Sequence, residues 1–231
     1  MKKIVILALL SVITLQAQKE VSFNENLKTN QDLYLNFKFA QDIKVEHGNT
    51  NQVIIKASVN IEDGDGNDAF SIKTDNSSGR LKVYSDFGDY FKNKWNDKRR
   101  RNYNSNTEIN YVVIVPKGVN LKVKSISGSL YIDTFNGDLV TDLISGDVTI
   151  KKYNGELRLK TISGVLDVTV NKADLNAKSL TGTIYSDIEF KKDHSKKHYN
   201  GSQNKVSKQI NGGSEPLDME TISGNIYIRK G

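Results

Sequence analysis

Glycine returns at a fixed interval through the second half of this chain. Gly128, Gly146, Gly164 and Gly182 stand 18 residues apart, and Gly137 and Gly155 fall midway. The repeating unit is therefore nine residues long. SISGSLYID, TFNGDLVTD, LISGDVTIK, KYNGELRLK, TISGVLDVT, VNKADLNAK and SLTGTIYSD run consecutively, and TISGNIYIR follows after an interruption. The second, sixth and eighth residues of most units are apolar, as in Ile126, Leu130 and Ile132 or Ile144, Val148 and Ile150. Apolar residues two apart mark a strand with one buried face. The Ser-Gly or Asn-Gly ahead of each pair supplies a residue that tolerates a turn.

A nine-residue strand and turn cannot bury its own apolar face, so successive units must stack. The pattern predicts an all-β fold, a single-stranded β-solenoid (β-helix) of about 18 residues per coil with two nine-residue legs. Ile126, Ile144, Ile162, Leu180 and Ile222 are expected to form one internal ladder. Phe135 and Tyr153 begin a second, broken at Asn171. The unit VNKADLNAK, with Ala173 in place of glycine, is the weakest copy.

Upstream, the frame extends through Leu121/Val123 and Val112/Ile114. Further back only the alternation persists, in LYLNFKF, DIKVEHG, VIIKASVNI, FSIKT and RLKVY, divided by turn-rich GNTNQ, EDGDGND and DNSSG. The expected layout is a signal peptide at 1–18, irregular N-terminal β coils at 19–106 with a basic insertion at 92–103, and a regular solenoid at 107–231 with a basic insertion at 188–211. An independent N-terminal β-domain is the alternative. The last repeat is followed only by Lys230 and Gly231, so its edge is expected either to be covered by the basic insertion at 191–208 or to pair with a second copy in homotypic edge pairing.

The segment from Tyr111 to Asp187, with INYVVIVPKGVNLKVKSISG followed by repeated SG-x-[LVI]-x-[IV], resembles the bacterial family of β-strand-repeat adhesins of unknown function. That family is similar to the head domains of some auto-transporter adhesins, and its adhesive role is itself inferred from shape. The resemblance implies the fold and supplies no catalytic motif.

Lys2-Lys3 precedes an apolar run from Ile4 to Ile13 and a cleavage site after Ala17 or Gln18, the pattern of a signal peptide. The mature chain is expected to be exported to the periplasm, cell surface or exterior, with no transmembrane segment once the signal is removed. Cysteine is absent. That excludes a disulfide scaffold, a cysteine nucleophile, a cysteine zinc site and lipid attachment through cysteine.

The charge is unevenly distributed. Residues 92–103 and 191–208 each hold six Lys or Arg against one acid, while the remaining mature chain is net acidic. Lys92, Lys94, Trp95, Arg99, Arg100 and Arg101 in the first insertion are candidate binding residues for an anionic polysaccharide or envelope component. Lys191, Lys192, Lys196, Lys197 and Tyr199 are their counterparts in the second. No stacking platform or groove motif accompanies this charge, which argues against nucleic acid.

No cofactor or metal is expected. His194 and His198 lie in a lysine-rich segment without a third ligand. Asp63-x-Asp65-x-Asn67 opens like a calcium loop but lacks its later glycine and glutamate, so it reads as a turn. The function these features support is a non-enzymatic, adhesin-like surface or envelope binding module. The alternative is a carbohydrate-active β-helix enzyme using stacked carboxylates at Asp138, Glu156 and Asp174.

Overall fold

The structure is a computed structural model and describes residues 18–96, 106–189 and 204–231. The signal-peptide segment lies outside these residues apart from Gln18. The N-terminal part contributes β1 (Lys19–Asn26), β2 (Leu33–His47), β3 (Gln52–Ile61), β4 (Ser71–Asp75), β5 (Leu81–Asp86) and a short helix α1 (Tyr90–Asn96). Then come β6 (Thr107–Val115), β7 (Leu121–Ile132), β8 (Phe135–Asn136), β9 (Leu139–Ser145), β10 (Val148–Ile150), β11 (Tyr153–Asn154), β12 (Leu157–Ser163) and β13 (Leu166–Val170). The last strands are β14 (Ala173–Ser179), β15 (Ile184–Ser186), β16 (Asn204–Ile210), β17 (Pro216–Ser223) and β18 (Ile226–Lys230).

The fold is all-β, but the expected single-stranded β-solenoid is corrected. The strands join in one 16-stranded mixed sheet whose main path runs β1-β3-β6-β2-β7-β9-β12-β17-β14-β16, with β8 and β11 as a separate pair. Antiparallel pairing at β1–β3, β3–β6, β4–β5 and β14–β16 breaks the one-handed winding that a solenoid requires. The long strands β2 and β7 pair in parallel along most of their length, tying the N-terminal strands to the repeats.

Within the repeats the pairing is parallel, and the 18-residue period sets its register. Leu121 aligns with Leu139, and Leu139 with Leu157. Leu157 then aligns with Leu217, not with Leu175, because β17 lies between β12 and β14. On the adjoining segment β18 likewise sits between β13 and β15. The last repeat in sequence is thus interior in space, which corrects the expectation that it forms a terminal edge. The outer position belongs to the weak copy, where β14 is covered by antiparallel β16.

The core follows from period-two alternation. Leu121 and Val123 point inward, as do Leu130 and Ile132 and their counterparts Val148, Ile150, Leu166, Val168, Ile226 and Ile228. Phe135 is fully buried, with Tyr153 packed against the core beside it, as the second ladder predicted. Two expectations fail. In β6 it is Tyr111, Val113 and Val115 that are buried, one residue out of step with Val112/Ile114. Tyr111 stacks on Phe37 with ring centres 4.1 Å apart, and that contact anchors the strand in this phase.

The other failure concerns the isoleucine ladder. Ile126, Ile144, Ile162, Ile222 and Leu180 are all 40–44% exposed. The residue before each takes the inward place: Ser125, Leu143, Thr161, Thr221 and Ser179 are buried. The hydroxyls serve the neighbouring backbone. Thr161 Oγ1 donates to the Gly146 carbonyl at 3.2 Å, Thr221 Oγ1 to the Gly164 carbonyl at 3.3 Å, and Ser179 Oγ to the Gly224 carbonyl at 2.9 Å. At these three corners the hydroxyl gives a glycine carbonyl a donor, a bond worth about 0.5–1.5 kcal/mol; at Leu143 the inward slot is apolar, and the alternation alone leaves Ile144 outside.

Ile150 is 1% exposed and pairs with Ile132 on one side and Val168 on the other. Ile150→Asp is expected to destabilise by about 3 kcal/mol or more, because it buries an unpaired carboxylate. Thr149→Asp on the outer side is expected to change stability by less than about 1 kcal/mol. Urea denaturation of the two variants checks this, and equal shifts would contradict the inward register.

Candidate functional site

The outward residues of β7, β9, β12, β17 and β14 form three columns on one sheet face. The first column, in spatial order, is Lys122, Val140, Arg158, Asp218 and Asn176. The second, Lys124, Asp142, Lys160, Glu220 and Lys178, alternates in charge from strand to strand. The third is the exposed set Ile126, Ile144, Ile162, Ile222 and Leu180. Neighbouring strands lie about 4.8 Å apart, so the apolar column is close to continuous.

The charged column is held in place by its own pairs. Lys124 Nζ lies 3.6 Å from Asp142 Oδ2, and Lys160 Nζ 3.9 Å from Glu220 Oε2. Asn176 Nδ2 donates to Asp218 Oδ1 at 3.2 Å. These groups are about half exposed, so each pair adds only about 0–1 kcal/mol to folding. Their outer sides remain open to a partner. An open groove of about 540 Å³ runs along the first two columns, lined by both signs of charge and by Val140, Leu159 and Met219.

A smaller aromatic patch lies on the adjoining face. Tyr185 and Tyr227 stack with centres 5.0 Å apart, and the Arg229 guanidinium lies 4.7 Å over Tyr227. Hydrogen bonds to Asp167 hold Arg229 there and raise its pKa. Elsewhere, on β11, the partly buried Tyr153 hydroxyl is pushed up to about 12 by desolvation.

The carboxylates expected to stack separate in space. Asp138 and Glu156 are neighbours, with Asp138 Oδ1 accepting from the Glu156 backbone N–H at 2.9 Å. Asp174, however, pairs with Pro216, whose strand separates it from Glu156. Glu156 is ion-paired with Arg158. The expected triplet is therefore a pair, and both members are engaged with the protein itself.

Of the basic candidates, Lys92 is exposed on α1 with Nζ 4.0 Å from Asp89. Lys94 and Trp95 lie on the same helix, and their side chains are outside the described part. Arg99, Arg100, Arg101, Lys191, Lys192, Lys196, Lys197 and Tyr199 are outside the described residues, as are His194 and His198. One described flank of each insertion meets the Ser-Gly type of corner. Phe91 of α1 packs on Phe39, which pairs with Ser127, and β16 begins opposite Ser179.

Asn67 is turned into the fold, its side-chain oxygen accepting from the Ile61 N–H at 2.8 Å, and Lys19 Nζ lies 3.0 Å from Asp68. The segment is a turn closed by an ammonium group. Among the described residues, no group of three or more His, Asp or Glu is placed to hold a metal.

No family model matches the chain, and no curated protein matches it. A solved structure does. The putative cell adhesion protein from Clostridium sporogenes ATCC 15579 superposes with a TM-score of 0.56 at 13% identity, covering 92% of this chain and 100% of that one. The likeness is one of fold. A putative lipid binding protein from Parabacteroides distasonis ATCC 8503, at TM-score 0.25 and 11% identity over 92% and 96% of the two chains, is too distant to support an argument.

The apolar column was legible in principle. Extending the alternation from Leu139 through Thr141 to Leu143 places Ile144 outside. The signal was missed because isoleucine beside a turn glycine reads as core.

Proposed function

We propose that this protein is an exported, non-enzymatic, adhesin-like binding module whose contact surface is the three-column face. The observation that carries the reading is the run of five exposed isoleucine and leucine side chains at strand spacing, bordered by alternating charge. Single exposed apolar residues are ordinary on a protein surface, but a contiguous stripe rimmed by polar groups marks an interaction site. The putative cell adhesion protein of similar fold and the signal-like N-terminus agree with this reading. Among the described residues, no helix is long and apolar enough to cross a membrane.

The basic insertions supply long-range attraction toward an anionic glycan or envelope polymer, and the columns supply the close contact. Catalysis is disfavoured because the Asp138 and Glu156 carboxylates are bound to backbone and to Arg158.

The test is a binding screen of residues 19–231 against envelope polymers and glycans. Wild type is compared with Ile144→Glu/Ile162→Glu and with Asp138→Asn/Glu156→Gln. The reading predicts that the first variant loses at least about tenfold in affinity with its melting temperature little changed, and that the second binds normally. Glycan cleavage by wild type, abolished in the second variant, would contradict it.

A further inference from the structure

We infer that the three-column face binds a second copy of this chain, face to face, about a two-fold axis parallel to the strands and midway between β9 and β12. This rests on the proposed function and names a partner for the same surface.

The argument is charge complementarity. Such an axis reverses the strand order while keeping each column over itself, so β9 faces the partner's β12 and β7 faces the partner's β17. Asp142 then meets Lys160 of the partner subunit, and Lys124 meets Glu220 of the partner subunit. In the first column, Lys122 meets Asp218 of the partner subunit. In the third, Ile144 lies on Ile162 of the partner subunit and Ile126 on Ile222 of the partner subunit. Every charged residue of the second column on these four strands meets its opposite, and every isoleucine meets an isoleucine. Moving the axis one step, between β12 and β17, still sets Lys160 on Glu220 of the partner subunit and Asp142 on Lys178 of the partner subunit, but it brings Lys124 against Lys205 of the partner subunit, since Lys205 extends the same column opposite Lys178. That single like-charged contact weighs against the shifted axis, whose other second-column contacts are also opposite in sign. The contact is isologous, the arrangement of most symmetric dimers.

These four strands at about 4.8 Å, each presenting three residues along about 17 Å, cover on the order of 300 Å² per subunit. A standard stable interface buries about 800 Å² per partner. The contact is therefore weak in solution and strengthened when many copies are displayed together, as a homotypic adhesive surface requires.

The test is sedimentation velocity on residues 19–231 over roughly 10–500 µM, a range suited to an interface below standard size. Wild type is expected to shift toward the dimer as concentration rises. Asp142→Lys and Lys160→Asp are each expected to stay monomeric, because each sets like charges together. An equimolar mixture of the two is expected to dimerise, since opposite charges then meet at both contacts. Unchanged circular dichroism shows that each variant is folded, and because both sites are exposed, two independent reversals guard against a folding defect in one. Dimerisation of either single variant alone, or a mixture that stays monomeric, overturns the inference. A monomeric wild type that still binds an envelope polymer through this face also overturns it, while leaving the proposed function standing. If neither association depends on the face, both fail.

Discussion

Ending the chain after Gly213 is expected to abolish the cooperative fold of residues 173–189 and 204–210. The removed strands β17 and β18 are interior, pairing on one side with β12 and β13 and on the other with β14 and β15. Leu217, Met219, Ile226 and Ile228 are each no more than 1% exposed. At about 1.5–3 kcal/mol for each buried side chain, their loss removes about 6–12 kcal/mol of burial. That is comparable to the whole stability of a typical domain, about 5–15 kcal/mol. Hydrogen exchange on the truncated chain is expected to show rapid exchange at Leu175 and Ala177. A melting temperature within about 2 °C of the intact chain would contradict the interior placement.

The second large effect is expected at the corner glycines. A Cβ added at Gly146 would lie 2.0 Å from the Gly128 carbonyl oxygen, and one at Gly224 would lie 1.9 Å from that of Gly164. Both obstacles are backbone, so relief requires separating adjacent strands. Gly146→Ala and Gly224→Ala are each expected to destabilise by about 3 kcal/mol or more, among the largest effects of single substitutions. Gly79 is the control. It has a positive φ of 77° and no atom within 4 Å of an added Cβ, so Gly79→Ala should carry only the left-handed backbone penalty of about 1–2 kcal/mol. Equal losses at all three positions in guanidinium titrations would contradict the close stacking at the corners.

Much of the repeat region was legible because period two is a strong signal. Leu130, Ile132, Val148, Ile150, Leu166 and Val168 all face inward as the alternation requires. Strand order was not legible, and the reason is physical. Leu157-x-Leu159-x-Thr161, Leu217-x-Met219-x-Thr221 and Leu175-x-Ala177-x-Ser179 present nearly interchangeable inward faces. The repeat pattern therefore specifies register but not which copy lies next to which. The small Ala177 and Ser179 match an outer place, where β16 rather than another repeat covers the strand.

The candidate face was concealed by the same regularity. Its isoleucines occupy a fixed repeat position, and fixed apolar positions read as core. What assigns them outward is the period-two alternation, which seats Ser125, Leu143, Thr161, Thr221 and Ser179 inward; at the last three a hydroxyl also bonds to a glycine carbonyl of the neighbouring strand. The charge alternation of Lys124, Asp142, Lys160, Glu220 and Lys178 becomes visible only once β17 is placed between β12 and β14. In sequence order, Lys160 would stand next to Lys178.

Thiol labelling tests the central claim most directly, because the chain contains no cysteine of its own. Single cysteines are placed at Ile144 and Leu143, adjacent residues that are 44% and 0% exposed, and reacted with a maleimide under native conditions. The outward apolar column predicts that Ile144→Cys reacts within the time of an exposed thiol and that Leu143→Cys reacts only after unfolding, with the same contrast at Ile162 and Thr161. Protection at Ile144 and Ile162 equal to that at Leu143 and Thr161 would return the isoleucines to the core and remove the surface on which the proposed function stands.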